Sequence, residues 1–197
     1  MTIPFEIHIT IGDLPISREQ AFIAACQEQA AKPLIIELSQ GEHMHQPMLS
    51  KVVYAEGLGE VLDHATGISQ DFSSQDFSVQ RLKIEVPSFH HELFSNEDSS
   101  FEHYFEWHGK IELKEKAQLL SLCEVHKVHL SRNSLKNEAQ IRFVTLREFG
   151  TQQHFERRLQ TLTQALTQGG WPIIKQQAEY CIYDNNTFLD AGWLPQS

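Results

Sequence analysis

The sequence predicts an α+β protein made of two ferredoxin-like halves, each β-α-β-β-α-β, joined as one bilobal, pseudo-twofold domain with antiparallel sheets. Three observations carry that expectation. "FEIHITI" at 5–11 and "FEWHGKI" at 105–111 share Phe, Glu, His and Ile in the same order and register. Later landmarks keep their order as well: Cys26 follows His8 as Cys123 follows His108, and "ELS" at 37–39 aligns with "HLS" at 129–131. Strand-like and helix-like periodicities also alternate in the same order on both sides of a polar stretch. The halves are assigned to residues 1–95 and 101–197, with 96–100 as the linker. The β-α-β-β-α-β order is the split βαβ arrangement, an antiparallel sheet with both helices on one face.

Each element has its own signature. Phe5, Ile7, Ile9 and Ile11 alternate with Glu6, His8 and Thr10, which is the period of a strand covered on one face. "GDLP" ends it. "SREQAFIAACQEQAA" opens with Ser17 three residues before Gln20, a capping-box helix start. "KPLIIELS" is a strand with a nearly continuous apolar run, "MLSKVVYAEG" a second strand, and "LGEVLDHATG" a helix. In "FSVQRLKIEV", Leu82, Ile84 and Val86 oppose Arg81, Lys83 and Glu85, and "FHH" at 89–91 marks the strand's end. After "SNEDSS" come the strand "HYFEWHGKIEL", the helix "KEKAQLLSLCEV", and the strands "KVHLS" and "IRFVTLREF". "TQQHFERRLQTLTQALTQ" sets Phe155, Leu159, Leu162 and Leu166 on one helical stripe, and Gly169-Gly170 stop it. A final strand runs through "IIKQQAEYCIY". The closing tail, with Leu189, Trp193 and Leu194, is expected to dock on the body as a packed C-terminal clasp, the end of the cleft being an alternative place for it.

Composition narrows the class. With 197 residues, 41% of them hydrophobic and 21% charged, the chain can bury a core and is expected to be globular. No apolar run approaches the roughly 20 residues of a membrane-spanning helix. The start "MTIPFEIHIT" has neither a basic n-region nor a cleavage site, so a cytoplasmic protein is expected. A net charge of −10 argues against generic nucleic-acid binding, which needs a basic face, while leaving room for a small basic pocket. Cys26, Cys123 and Cys181 sit among apolar neighbours with no C-x-x-C spacing, and read as buried thiols.

Alternation puts a definite polar set on the faces away from the helices. The first half offers Glu6, His8, Thr10, Glu37, Ser39, Arg81, Lys83 and Glu85. The second offers Glu106, His108, Lys110, Lys127, His129, Ser131, Thr145 and Arg147. Imidazoles in such a cleft can act as general acid and base while cations and hydroxyls hold an anion. His8, His108 and His129 are therefore the candidate catalytic residues. Thr10, Arg81, Lys83, Lys110 and Ser131 are the candidate binders of a small anionic molecule. Two histidines and a carboxylate from His8, Glu37, His108 and His129 could instead hold a metal, and His43 and His45 form an isolated H-x-H. A further alternative is a binding module for a ligand or protein with no catalysis. The G-x-G-x-x-G, P-loop, G-x-S-x-G and H-E-x-x-H signatures do not occur, so the residues suggest no particular cofactor.

At "HIT" (8–10) and "HLS" (129–131) the chain resembles the 2H phosphoesterases, the LigT-like RNA ligases and cyclic phosphodiesterases. Members carry H-x-T/S once in each lobe of a duplicated fold. The resemblance implies a phosphodiesterase-like hydrolase in which His8 and His129 are acid and base and Thr10 and Ser131 bind phosphate. The internal repeat pairs His8 with His108 instead, so both partners of His8 stay open at this point.

Overall fold

A computed structural model of the chain describes residues 1–94, 103–136 and 138–192. Twelve elements follow one another: β1 (Ile3–Ile11), α1 (Glu19–Glu28), β2 (Lys32–Leu38), β3 (His45–Ala55), α2 (Leu58–Ser74) and β4 (Val79–Pro87) come first. β5 (Tyr104–Glu112), α3 (Lys116–His126), β6 (His129–Asn133), β7 (Ile141–Glu148), α4 (Gln152–Gln168) and β8 (Lys175–Asp184) complete the set. The strands form one closed barrel in the order β1-β3-β2-β6-β7-β5-β8-β4, with β4 returning to β1. Every pairing is antiparallel.

That barrel overturns the expected pair of ferredoxin-like halves with open sheets. Two junctions are responsible. β2 meets β6 through Ile36↔Asn133, Glu37↔Arg132 and Leu38↔Ser131. β4 meets β8 from Lys83↔Asp184 to Pro87↔Glu179. The edges that separate sheets would leave unpaired are satisfied against each other, and closure removes them altogether. No cleft between lobes exists among the described residues; the polar faces enclose an interior instead. The expected linker at 96–100 lies outside the described residues.

The hydrophobic core is the layer between barrel and helices. Phe5, Ile7, Ile9, Trp107 and Ile111 point outward into it. α2 covers β1, β3 and β4 with Val61, Ala65, Ile68 and Phe72, while α4 covers β5 and β7 with Phe155, Leu162 and Leu166. Each such leucine contributes roughly 1.5–3 kcal/mol by leaving water. α4 is capped by Thr151, whose side chain accepts from the His154 N–H. It ends at Gly169, and Gly170 follows at φ +90°. On β5 the Trp107 ring lies across Gly109, where a Cβ would come within 2.1 Å of it.

Some local expectations differ. α1 begins at Glu19 after a 3-10 turn over Ile16–Arg18, and no side chain caps it. Arg18 instead reaches the carbonyl of Gln75 (2.7 Å) and stacks on Phe77, tying this turn to the end of α2. "FHH" falls in a 3-10 turn over Ser88–Leu93 rather than at a strand end. Cys26, Cys123 and Cys181 are free and buried, as expected. Among the described residues no helix is long and apolar enough to cross a membrane.

Candidate functional site

Because β1 sends Phe5, Ile7 and Ile9 to the core, it must send Glu6, His8 and Thr10 into the barrel. The same alternation brings in Arg81, Lys83 and Glu85 from β4, Glu106 and His108 from β5, and Thr145 and Arg147 from β7. β8 adds Gln177 and Glu179, and β6 adds Ser131 and Asn133. These side chains surround a cavity of about 230 Å³. An apolar patch completes the wall, Leu34 and Ile36 on β2, Met48 on β3 and Phe143 on β7, with Lys32, Gln46, Lys136 and Asp190 around it.

One end of the barrel is sealed by the chain itself. A 3-10 turn over Thr187–Asp190 inserts Asp190 between two arginines, 2.9 Å from Arg81 and 2.6 Å from Arg147. Gln46 donates to the Leu189 carbonyl at 2.9 Å, fixing the turn from β3. Arg81 also binds both oxygens of Asp184, to which the Tyr104 hydroxyl donates at 2.6 Å. Arg147 forks onto Glu106 at 2.8 and 2.7 Å. Lys83 sits between Glu106 (2.5 Å) and Glu85 (2.8 Å). Burial would strip these groups of charge, but the counter-charges outweigh it: Lys83 is held above its usual pKa by Glu106 and Glu85. Glu106 is held well below its usual range by Lys83 and Arg147, and Asp190 is lowered by Arg81 and Arg147.

Midway along the barrel stand the two histidines. His8 Nε2 is 3.1 Å from Glu85 and 3.6 Å from Glu6. His108 Nε2 is 3.2 Å from Glu106 and 4.0 Å from Glu179, and its Nδ1 is 3.0 Å from the Thr145 hydroxyl. Between them Glu6 and Glu179 form a carboxyl pair bridged by Gln177, which donates to Glu6 at 2.9 Å and to Glu179 at 2.8 Å. Burial first, then the charges of Glu85 and Glu6, raise the Glu179 pKa well above the carboxylate range. Burial opposes ionisation of Glu6 too, yet His8 and hydrogen bonds from Ser50, Glu179 and Gln177 lower it to about 2. Burial and charge thus push the two carboxyls apart, Glu179 towards the protonated form and Glu6 towards the ionised one.

The open end is basic. Lys32, Lys110, Lys136 and Lys175 gather there, with Lys110 and Lys175 cross-strand partners. Burial and the like charges of Lys136, Lys175 and Lys110 lower the Lys32 pKa against the pull of Glu6. Lys110 alone of the four is ion-paired among the described residues, to Glu138 at 3.2 Å.

Of the residues expected to act, His8, His108, Thr10, Arg81, Lys83 and Ser131 line this one cavity, and Lys110 stands at its mouth. His129 does not line it. It lies in a second depression with Ser39, Gln40 and Lys127, its Nδ1 3.0 Å from Gln40, and burial with the Arg147 charge lowers its pKa to about 4. Glu37 points outward to Arg132. His43 and His45 are exposed, and among the described residues no group of three or more His, Cys, Asp or Glu is placed to hold a metal. Gln177, Glu179, Asp190, Lys32, Lys136 and the apolar wall were not foreseen. The alternation Lys175-Gln177-Glu179 in "KQQAE" was the available signal for β8. Comparison with protein-family models and with curated proteins returns no match.

Proposed function

We propose that the barrel takes up a small anionic molecule through its lysine-lined end and acts on it by acid–base chemistry. The observation that carries the reading is the cluster of Lys32, Lys110, Lys136 and Lys175 above His8, His108, Glu6 and Glu179. Like charges gathered at one mouth repel one another, and a bound anion relieves that repulsion. Glu179, pushed towards its protonated form, and the imidazoles of His8 and His108, each beside a carboxylate, are the groups that give and take a proton within reach of a guest. A phosphoester suits this apparatus, since its charge can rest on the lysines while a proton moves at an ester oxygen. Within that chemistry Thr10 and His8 of "HIT" face the cavity, and His108 serves as the second histidine.

Calorimetric titration with inorganic phosphate, linear and 2′,3′-cyclic phosphodiesters and carboxylates tests the reading, alongside assays for product. Binding should weaken at least tenfold in the Lys32→Gln/Lys136→Gln double variant. Turnover should be lost in His8→Gln and His108→Gln. Binding without turnover for every compound would leave a ligand-binding module rather than an enzyme. Failure of all the anions to bind, or binding indifferent to the lysines, would overturn the proposal.

A further inference from the structure

The interior carries an apolar patch, and that patch says what kind of anion belongs there. Strands β1, β4, β5 and β8 present acids, bases and amides. Strands β2, β3 and β7 present Leu34, Ile36, Met48 and Phe143 side by side, with Lys32, Gln46, Thr145 and Arg147 towards the ends. This patch is built by register. Leu34 and Met48 are direct cross-strand partners, Ile36 is the next inward residue on β2, and Phe143 is paired with Ser131 on the adjoining side. Leu34, Met48 and Phe143 are only half-buried, and none of them joins the core layer outside the barrel. Their free surface faces the cavity. An apolar face in an otherwise charged interior gains nothing from water, which needs polar partners, and gains from an apolar guest.

Resting on the reading above, we propose that the substrate class is a compact apolar anion. It carries one phosphate or carboxylate and a single ring or branched alkyl body that lies on the Leu34–Ile36–Met48–Phe143 wall. Size supports the same choice. At about 230 Å³ the cavity falls below the range of roughly 300–1,000 Å³ that accepts drug-sized ligands. A ring with one substituent fits that space, whereas a base joined to a sugar and a phosphate does not. Polarity decides between guests of equal size: a sugar phosphate would set hydroxyls against the apolar wall without partners. The ring of an aryl phosphate covers the wall and turns its ester oxygen towards Glu179, Gln177 and the histidines.

The test is a matched series on the wild-type protein: phenyl phosphate against inorganic phosphate and ribose 5-phosphate, and benzoate against acetate. Burying one face of a ring should tighten binding by about tenfold to a hundredfold over the ringless partner. The preference for phenyl phosphate over phosphate should shrink at least fivefold in Phe143→Ala and, independently, in Met48→Gln. If the ring adds nothing, or ribose 5-phosphate binds as tightly as phenyl phosphate, the apolar-substrate inference falls while lysine-dependent anion uptake stands. If neither phosphate nor phenyl phosphate binds, both fall together.

Discussion

Two buried glutamates in the barrel should respond in opposite senses to the same substitution. Burial and the charges of Glu85 and Glu6 favour the protonated form of Glu179 in the folded protein, and Glu179→Gln replaces that neutral donor-acceptor group by another. The amide oxygen can still accept from Gln177, and the NH₂ can donate to Glu6 where the carboxyl proton did. At pH 5 the variant should lie within about 1 kcal/mol of wild type. The unfolded chain ionises this carboxyl near its ordinary value of about 4.3, so above that pH the unfolded wild type sheds a proton that the native state retains. A raised native pKa therefore costs wild-type stability as pH rises, at about 1.4 kcal/mol per unit while the native carboxyl stays protonated. Glutamine has no proton to lose. The variant should gain on wild type by up to about 2.7 kcal/mol between pH 5 and pH 7. Glu106→Gln does the reverse: it removes the charge that Lys83 and Arg147 share and should cost about 3–5 kcal/mol near neutrality. Because the Glu106 pKa is depressed, that deficit should narrow as pH falls into the acid range. Urea denaturation at intervals from pH 3 to 8, followed by tryptophan fluorescence and circular dichroism, measures both effects. A Glu179→Gln curve that runs parallel to wild type across the series would mean that the native carboxyl is ionised.

Leu162 is 1% exposed under α4, so Leu162→Ala should destabilise by about 2–5 kcal/mol in chemical denaturation; a loss under half a kcal/mol would place this helix outside the cooperative core. Gly109→Ala should cost about 1–3 kcal/mol, because the new methyl meets the Trp107 ring, and near-ultraviolet circular dichroism should report the displaced indole. Burial pushes the thiols of Cys26 and Cys123 up to about 12. An aromatic disulfide reagent at pH 8 should therefore label the native protein slowly and the urea-unfolded protein at once.

Periodicity made much of the site legible and left its enclosure invisible. Alternation in "FEIHITI", "RLKIEV" and "FEWHGKI" assigned His8, Arg81, Lys83, Glu85, Glu106 and His108 to one face each, and those side chains do converge. Alternation does not say what a polar face meets. The decisive pairs, β2 with β6 and β4 with β8, join residues about a hundred positions apart with no turn or spacing to announce them. β2 also misled by its apolar run. With Leu34, Ile35 and Ile36 in succession, the inward side could not be told from the outward, so Glu37 was placed on the wrong face. Asp190 went unread for a different reason, since a lone carboxylate in a tail read for its apolar residues gives no sign that two arginines wait inside a barrel for it.

The position of β8 in the ring has a consequence for biosynthesis. It lies between β4 and β5, and of the eight barrel strands it is the last to leave the ribosome. Until then the first seven strands can make only an open sheet whose two free edges are β4 and β5. Those edges carry Arg81, Lys83 and Glu85 on one and Glu106 and His108 on the other, and inward-pointing charges are what keep a bare strand from pairing with a neighbouring chain. The ions that later line the cavity thus guard the nascent protein against sticking to its siblings, and the cavity comes into being in the same event that ends this exposure.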